Sequence, residues 1–117
     1  MATHQQLAHL YGTLVTLART GKTTTYSEVA PIVNLDVSEQ PDRNELGELL
    51  GYISRAEVMQ QRPMLSAIGL HKGDASVGTG FYKLGVELGR ARPNQEDFEF
   101  LAMELKALQA FWSGRGR

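Results

Sequence analysis

Apolar residues recur at spacings of three and four in three long segments of this chain, and this repeat constrains the fold more than any other feature. The spacing is typical of helices that bury one face. It predicts a helix over residues 4–20, a helix over residues 43–60 and a long C-terminal helix. The apolar positions are Leu7, Leu10, Tyr11, Leu14, Leu17 and Ala18, then Leu46, Leu49, Leu50 and Ile53, then Phe98, Leu101, Leu105, Leu108 and Trp112.

Shorter segments fill the space between these stripes. Thr25 and Glu28 form a capping-box pair, which predicts a helix start near Tyr26, and Pro31 limits that helix to about two turns. Residues 64–71 alternate in a way that predicts a strand buried on both faces. Residues 72–80 contain three glycines, which predicts a hairpin or wing, and a short helix is expected over residues 81–89.

These elements together predict an α+β fold that is mostly helical. We expect one winged-helix-like domain over residues 1–117, with a short β-hairpin or small sheet and a long C-terminal helix. The length of 117 residues suits one domain, and 42% hydrophobic with 21% charged residues is ordinary globular usage.

Composition excludes several kinds of chemistry. The chain has no cysteine, which removes disulfides, thiolate metal sites and cysteine nucleophiles. Neither a leader pattern nor a long apolar run is visible, so we expect a cytoplasmic protein with no membrane partner.

Polar residues do not assemble a recognisable reaction centre. His71, Asp74 and Ser76 are the residue types of a hydrolytic triad, but only geometry establishes a triad. The three histidines lack the spacing of a metal site. The glycine-rich loop over residues 72–80 is either a plain turn or an anion site. The sequence therefore predicts a protein that is not an enzyme and has no metal or cofactor.

The basic segment of the chain and a pair of helical glycines can each be interpreted in two ways. The net charge is −1, yet residues 62–92 hold five basic and two acidic residues, so this segment suits an anionic partner or a solvated face. Gly47 and Gly51 lie one turn apart on the third predicted helix. They indicate either a close helix crossing or a surface where the backbone of a ligand approaches.

One ten-residue segment resembles a known family. Residues 21–30, Gly-Lys-Thr-Thr-Thr-Tyr-Ser-Glu-Val-Ala, are similar to the start of the DNA-binding region of O6-alkylguanine-DNA alkyltransferases and alkyltransferase-like proteins. The resemblance implies that Tyr26 contacts a DNA backbone and that residues 47–50 lie in a recognition helix. Asn44 stands where the family has its arginine, and residues 63–66 lack the family's reactive cysteine motif, which excludes alkyl transfer by that cysteine. The order of segments also resembles that of small bacterial proteins with no assigned function.

Two functions follow as competing hypotheses. The first is a non-enzymatic nucleic-acid-binding or regulatory module of winged-helix type. Its contacting residues would be Tyr26, Arg43, Arg62, Lys72, Lys83, Arg90 and Arg92. The second is a protein-interaction module, as a homodimer or accessory subunit without nucleic-acid binding. Its contacting residues would be Phe98, Leu105 and Trp112, although the same stripe is also explained as core.

Overall fold

A computed structural model describes residues 2–70 and 79–113 of the chain. Five α-helices, two short strands and two 3-10 turns occur within these ranges. In chain order they are α1 (His4–Arg19), β1 (Thr24–Thr25), α2 (Tyr26–Val29), a 3-10 turn (Ala30–Val33), α3 (Gln40–Met59), a second 3-10 turn (Leu65–Ile68), β2 (Gly69–Leu70), α4 (Thr79–Glu87) and α5 (Asp97–Ser113).

The ends of α1 have local causes. The Thr3 hydroxyl accepts from the Gln6 amide at 3.1 Å, and the Gln6 side chain accepts from the Thr3 amide at 2.8 Å, which completes a capping box. The helix stops before Gly21, whose φ of 70° suits glycine. The prediction of a helix over residues 4–20 is confirmed.

The cap predicted before α2 is partly present. The Thr25 hydroxyl accepts from the Glu28 amide at 3.3 Å, and this hydroxyl also lies 3.2 Å from the Glu28 carboxylate. The helix is short, as expected, because Pro31 follows in the first turn of a 3-10 segment that ends at Asn34 with φ 58°.

Helix α3 begins three residues earlier than expected. Pro41 lies in its first turn, where the missing amide costs no hydrogen bond, so the helix starts at Gln40. Of the predicted stripe, Leu46, Leu50 and Ile53 are buried, and Leu49 is partly buried against the core.

The predicted strand over residues 64–71 is wrong for most of its length. Leu65–Ile68 form a buried 3-10 turn, and only Gly69–Leu70 pair, in parallel, with Thr24–Thr25. Side chains from two helices replace a sheet partner for this segment. The Met64 amide donates to Glu104 at 3.0 Å, and the Ser66 amide donates to the Ser54 hydroxyl at 3.0 Å.

The winged-helix fold class is therefore also wrong. A winged helix needs an antiparallel hairpin or sheet, whereas the extended residues in the described ranges form one parallel pairing of two residues on each side. Residues 72–78 of the hairpin expected over residues 72–80 lie outside the described part, and residues 79–80 belong to α4. The chain forms a helical domain, in which the long C-terminal helix is present as α5.

Helices α1 and α5 pack together, and both contact the buried 3-10 turn at Leu65–Ile68. Helix α4 lies between α3 and α5. The Phe81 ring stacks on the Phe100 ring at 5.2 Å between centroids. A Cβ added to Gly85 would lie 2.5 Å from the Phe100 ring, so this side chain of α5 packs directly against the backbone of α4. The buried aliphatic and aromatic residues that these contacts join include Leu10, Leu14, Leu46, Leu50, Met64, Leu65, Ile68, Phe100 and Leu108.

Candidate interaction surface

Arg62, expected on an anion-binding face, belongs to a cluster of side chains around one buried carboxylate, that of Glu57. Its guanidinium donates to Glu57 at 2.7 Å, and the Glu57 side chain is only 2% exposed. The Tyr11 hydroxyl lies 3.2 Å from both oxygens of the same carboxylate. Hydrogen bonding to Glu57 raises the pKa of Arg62, while burial, followed by the charge of Glu57, raises the pKa of Tyr11.

Arg90 has an equivalent role at a second buried carboxylate, that of Glu104. Its guanidinium pairs with Glu104 at 2.5 Å, and the Glu104 side chain is 4% exposed. Because that carboxylate also accepts from the Met64 amide, Arg90 neutralises a buried charge that holds the segment after α3.

Arg43 and Arg92 are held by local contacts. Arg43 donates to the Val37 carbonyl at 2.5 Å and to the Gln40 side chain, which ties the start of α3 to the loop before it. Arg92 pairs with Glu99 at 3.0 Å on the exposed side of α5.

The remaining predicted contacts with nucleic acid are dispersed. Tyr26 is the first residue of α2, close to Gly69, and burial raises the pKa of its hydroxyl. Lys83 is exposed on α4. Lys72 lies outside the described residues. The structure thus directs Arg43, Arg62, Arg90 and Arg92 to acceptors within the chain rather than to one open basic face.

The residues expected to bind a partner through α5 differ in how far they are exposed to solvent. Trp112 is buried, at 8% exposed, and its Nε1 has no hydrogen-bond acceptor among the described residues. Leu105 is half-buried against the core. Phe98 is 80% exposed at the start of the helix. This stripe is mainly core, with one projecting ring at its end.

A different helix presents a continuous exposed stripe. Tyr52 is 65% exposed and Met59 is 77% exposed, and both lie on the side of α3 that faces away from the core. Glu48 and Arg55 are also exposed and complete a spacing of four, three and four residues, which keeps all four side chains on one side of the helix. We call Glu48, Tyr52, Arg55 and Met59 the α3 outer face.

A groove of about 400 Å³ runs beside the α3 outer face, between α3 and α4. Gly51 faces Leu84 across its floor, since a Cβ on Gly51 would lie 3.8 Å from the Leu84 Cδ2 atom. Arg55 bridges the two helices by pairing with Glu87 at 2.5 Å. A Cβ on Gly47 would meet no atom of the described residues within 4 Å, so within residues 2–70 and 79–113 a close helix crossing is present at neither glycine.

The sequence contained a signal for this face that the predictions did not use. Tyr52 and Met59 are large apolar residues seven positions apart, and both lie off the stripe formed by Leu46, Leu50 and Ile53. Large apolar side chains on the polar side of an amphipathic helix indicate a contact outside the core.

The described residues contain no group of three or more His, Asp or Glu side chains placed to hold a metal ion. No helix in residues 2–70 and 79–113 combines the length and the apolar character needed to cross a membrane. Comparisons with protein-family models, with curated proteins and with solved structures found no match to this chain. The resemblance of residues 21–30 to the alkyltransferase family therefore stays a prediction.

Proposed function

We propose that this protein is a non-enzymatic protein-interaction module that binds its partner through the α3 outer face. The observation that carries the proposal is the exposure of Tyr52 and Met59, at 65% and 77%, on one side of a single long helix. Large aromatic and methionine side chains are enriched at protein interfaces because they bury a large area on binding.

The charges on this face suit a protein partner. Glu48 and Arg55 place opposite charges on the same stripe, with Tyr52 between them. Apolar side chains beside mixed charge resemble the composition of a protein interface, in which the charges select the partner and its orientation. Binding to a phosphate backbone would instead require several Lys or Arg side chains whose charge is not already paired.

The nucleic-acid hypothesis has weaker support. It depended on a winged-helix fold that the chain does not adopt. Within the described residues, Arg62 and Arg90 neutralise carboxylates that are only 2% and 4% exposed. The charge of each arginine is therefore already offset by a buried anion, which weakens its attraction for a phosphate.

Photo-crosslinking in the cells that produce the protein tests the proposal. We expect a benzophenone side chain at Tyr52 to capture a discrete protein product. The same side chain at Ala102, an exposed position on α5, serves as the matched control and should capture none. Equal labelling at the two positions, or no product at Tyr52, would contradict the proposal.

A further inference from the structure

We infer that the partner of the α3 outer face is a second copy of this chain, bound through an antiparallel pairing of the two α3 helices. This inference rests on the proposed function and identifies the partner of the same surface. The observation behind it is that the face is complementary in charge to itself.

The positions of the two charges determine the orientation of the pair. Glu48 and Arg55 lie seven residues apart, two helical turns, with Tyr52 between them. An antiparallel pair related by a two-fold axis near Tyr52 brings each Glu48 beside Arg55 of the other copy, so two opposite-charge contacts form at once. A parallel pair in register would place Glu48 against Glu48 and Arg55 against Arg55, which is repulsive.

The apolar residues fit the same arrangement. The two Tyr52 rings meet at the axis, where offset aromatic packing is favourable. Met59 lies at each end of the contact. The four positions of the α3 outer face follow the alternating spacing of three and four residues at which helices pair.

The packing of α4 against α3 leaves the α3 outer face accessible to a second copy. Helix α4 lies on the side of α3 marked by Gly51, which faces Leu84, while Tyr52 and Met59 project into solvent. Arg55 already pairs with Glu87 of α4, and both side chains are about half exposed. A guanidinium has five N–H donors, so Arg55 can keep Glu87 and also bind Glu48 of the second copy.

Sedimentation equilibrium of the full chain tests the inference through charge reversal. We expect the wild-type protein to form a dimer as its concentration rises from micromolar to millimolar. Glu48→Arg and Arg55→Glu should each raise the dimer dissociation constant about tenfold, because two attractive contacts become repulsive. The double variant Glu48→Arg/Arg55→Glu restores both contacts and should return the constant to near the wild-type value.

A matched control separates this effect from the loss of a surface ion pair. Arg92→Glu breaks the exposed pair with Glu99 on α5, as Arg55→Glu breaks the exposed pair with Glu87. We expect Arg92→Glu to leave the dimer constant unchanged. Circular dichroism of every variant confirms that it is folded.

Three outcomes would overturn the inference. One is a wild-type protein with the mass of one chain at every concentration. The second is a double variant no stronger than either single variant, and the third is an equal loss of dimer in the Arg92→Glu control. A monomeric wild type that still crosslinks another protein at Tyr52 would leave the proposed function standing, whereas no crosslink at Tyr52 would remove both.

Discussion

Two glycines on neighbouring helices show how one missing side chain can have opposite effects. A Cβ at Gly85 would lie 2.5 Å from Phe100 Cε2 and 2.6 Å from its Cζ, whereas a Cβ at Gly47 would meet none of the described atoms within 4 Å. Gly85 thus makes room for the Phe100 ring of α5. Gly47 lowers the stability of α3 without a packing contact to the described residues in return.

We expect Gly85→Ala to lower the free energy of unfolding by about 1–3 kcal/mol, since the added methyl group would force the buried Phe100 ring to shift. Gly47→Ala is the matched control and should raise it by up to about 1 kcal/mol through helix propensity. Urea denaturation measures both. An equal gain from the two substitutions would show that the Phe100 ring does not pack this closely against Gly85.

Tyr11, which contacts the buried Glu57, makes the stability of the fold sensitive to alkaline pH. Burial, followed by the charge of Glu57 and the hydrogen bond to it, raises the pKa of Tyr11 above its ordinary value of 10.0. The folded-state pKa is therefore higher than the unfolded one. The contribution of this group to stability is complete below about pH 10 and is lost as the pH rises through the folded-state pKa.

We expect the free energy of unfolding to fall as the pH rises above about 10, and to fall less steeply in Tyr11→Phe. Tyr26 and Tyr82 also have raised pKa values, chiefly from burial, so the variant should keep part of the slope. Urea titrations at several pH values measure this difference. Parallel curves for the two proteins would show that Tyr11 does not titrate differently on unfolding.

At the scale of elements, side chains of α3 and α5 hold the segment that follows α3. Arg62 binds Glu57, the Met64 amide binds Glu104 and the Ser66 amide binds Ser54. The Ser54 and Ser66 hydroxyls are also 2.6 Å apart in a buried position. The backbone amides of Met64 and Ser66 therefore have partners in the core without a sheet.

Removing the Glu104 carboxylate should release this segment. We expect Glu104→Ala to cost about 3 kcal/mol, because it leaves the Met64 amide without an acceptor and Arg90 without its anion. Hydrogen exchange should show faster exchange at Met64. Glu99→Ala, which breaks an exposed ion pair on the same helix, is the control and should change stability by less than about 1 kcal/mol. Unchanged exchange at Met64 in Glu104→Ala would contradict this role.

Periodicity predicted the helices well and the strand poorly, for a physical reason. An amphipathic helix has a spacing that no other element shares, as the stripe through Leu46, Leu50 and Ile53 demonstrates. A short run that is buried on all sides has no polar face to reveal its period, so residues 64–71 suit a strand and a buried turn equally well. The partners that decide between them, Ser54 and Glu104, lie 12 and 40 residues away from the amides they bind.

The candidate site was harder to predict than the fold. Arg62 and Arg90 have the charge of phosphate-binding residues, and their pairing depends on Glu57 and Glu104, which lie 5 and 14 residues distant. Neither separation is the three or four residues at which a helix pairs its own side chains. The exposure of a side chain decides whether it belongs to the core or to the interaction surface. Trp112 and Tyr52 are both large aromatics on helices, and of the two only Tyr52 projects into solvent.

For the whole molecule, two features support a protein partner. The net charge is −1, which gives no overall attraction to nucleic acid. The four arginines Arg43, Arg62, Arg90 and Arg92 are bound within the chain, while the α3 outer face exposes apolar and oppositely charged side chains together.

The most direct test of this account is sedimentation velocity of the protein mixed with fluorescent duplex DNA at low salt, where any attraction to phosphate is strongest. Both components are followed in one run. We expect the DNA to sediment as it does alone while the protein sediments as a dimer. DNA that sediments with the protein, together with a protein that is monomeric on its own, would contradict it.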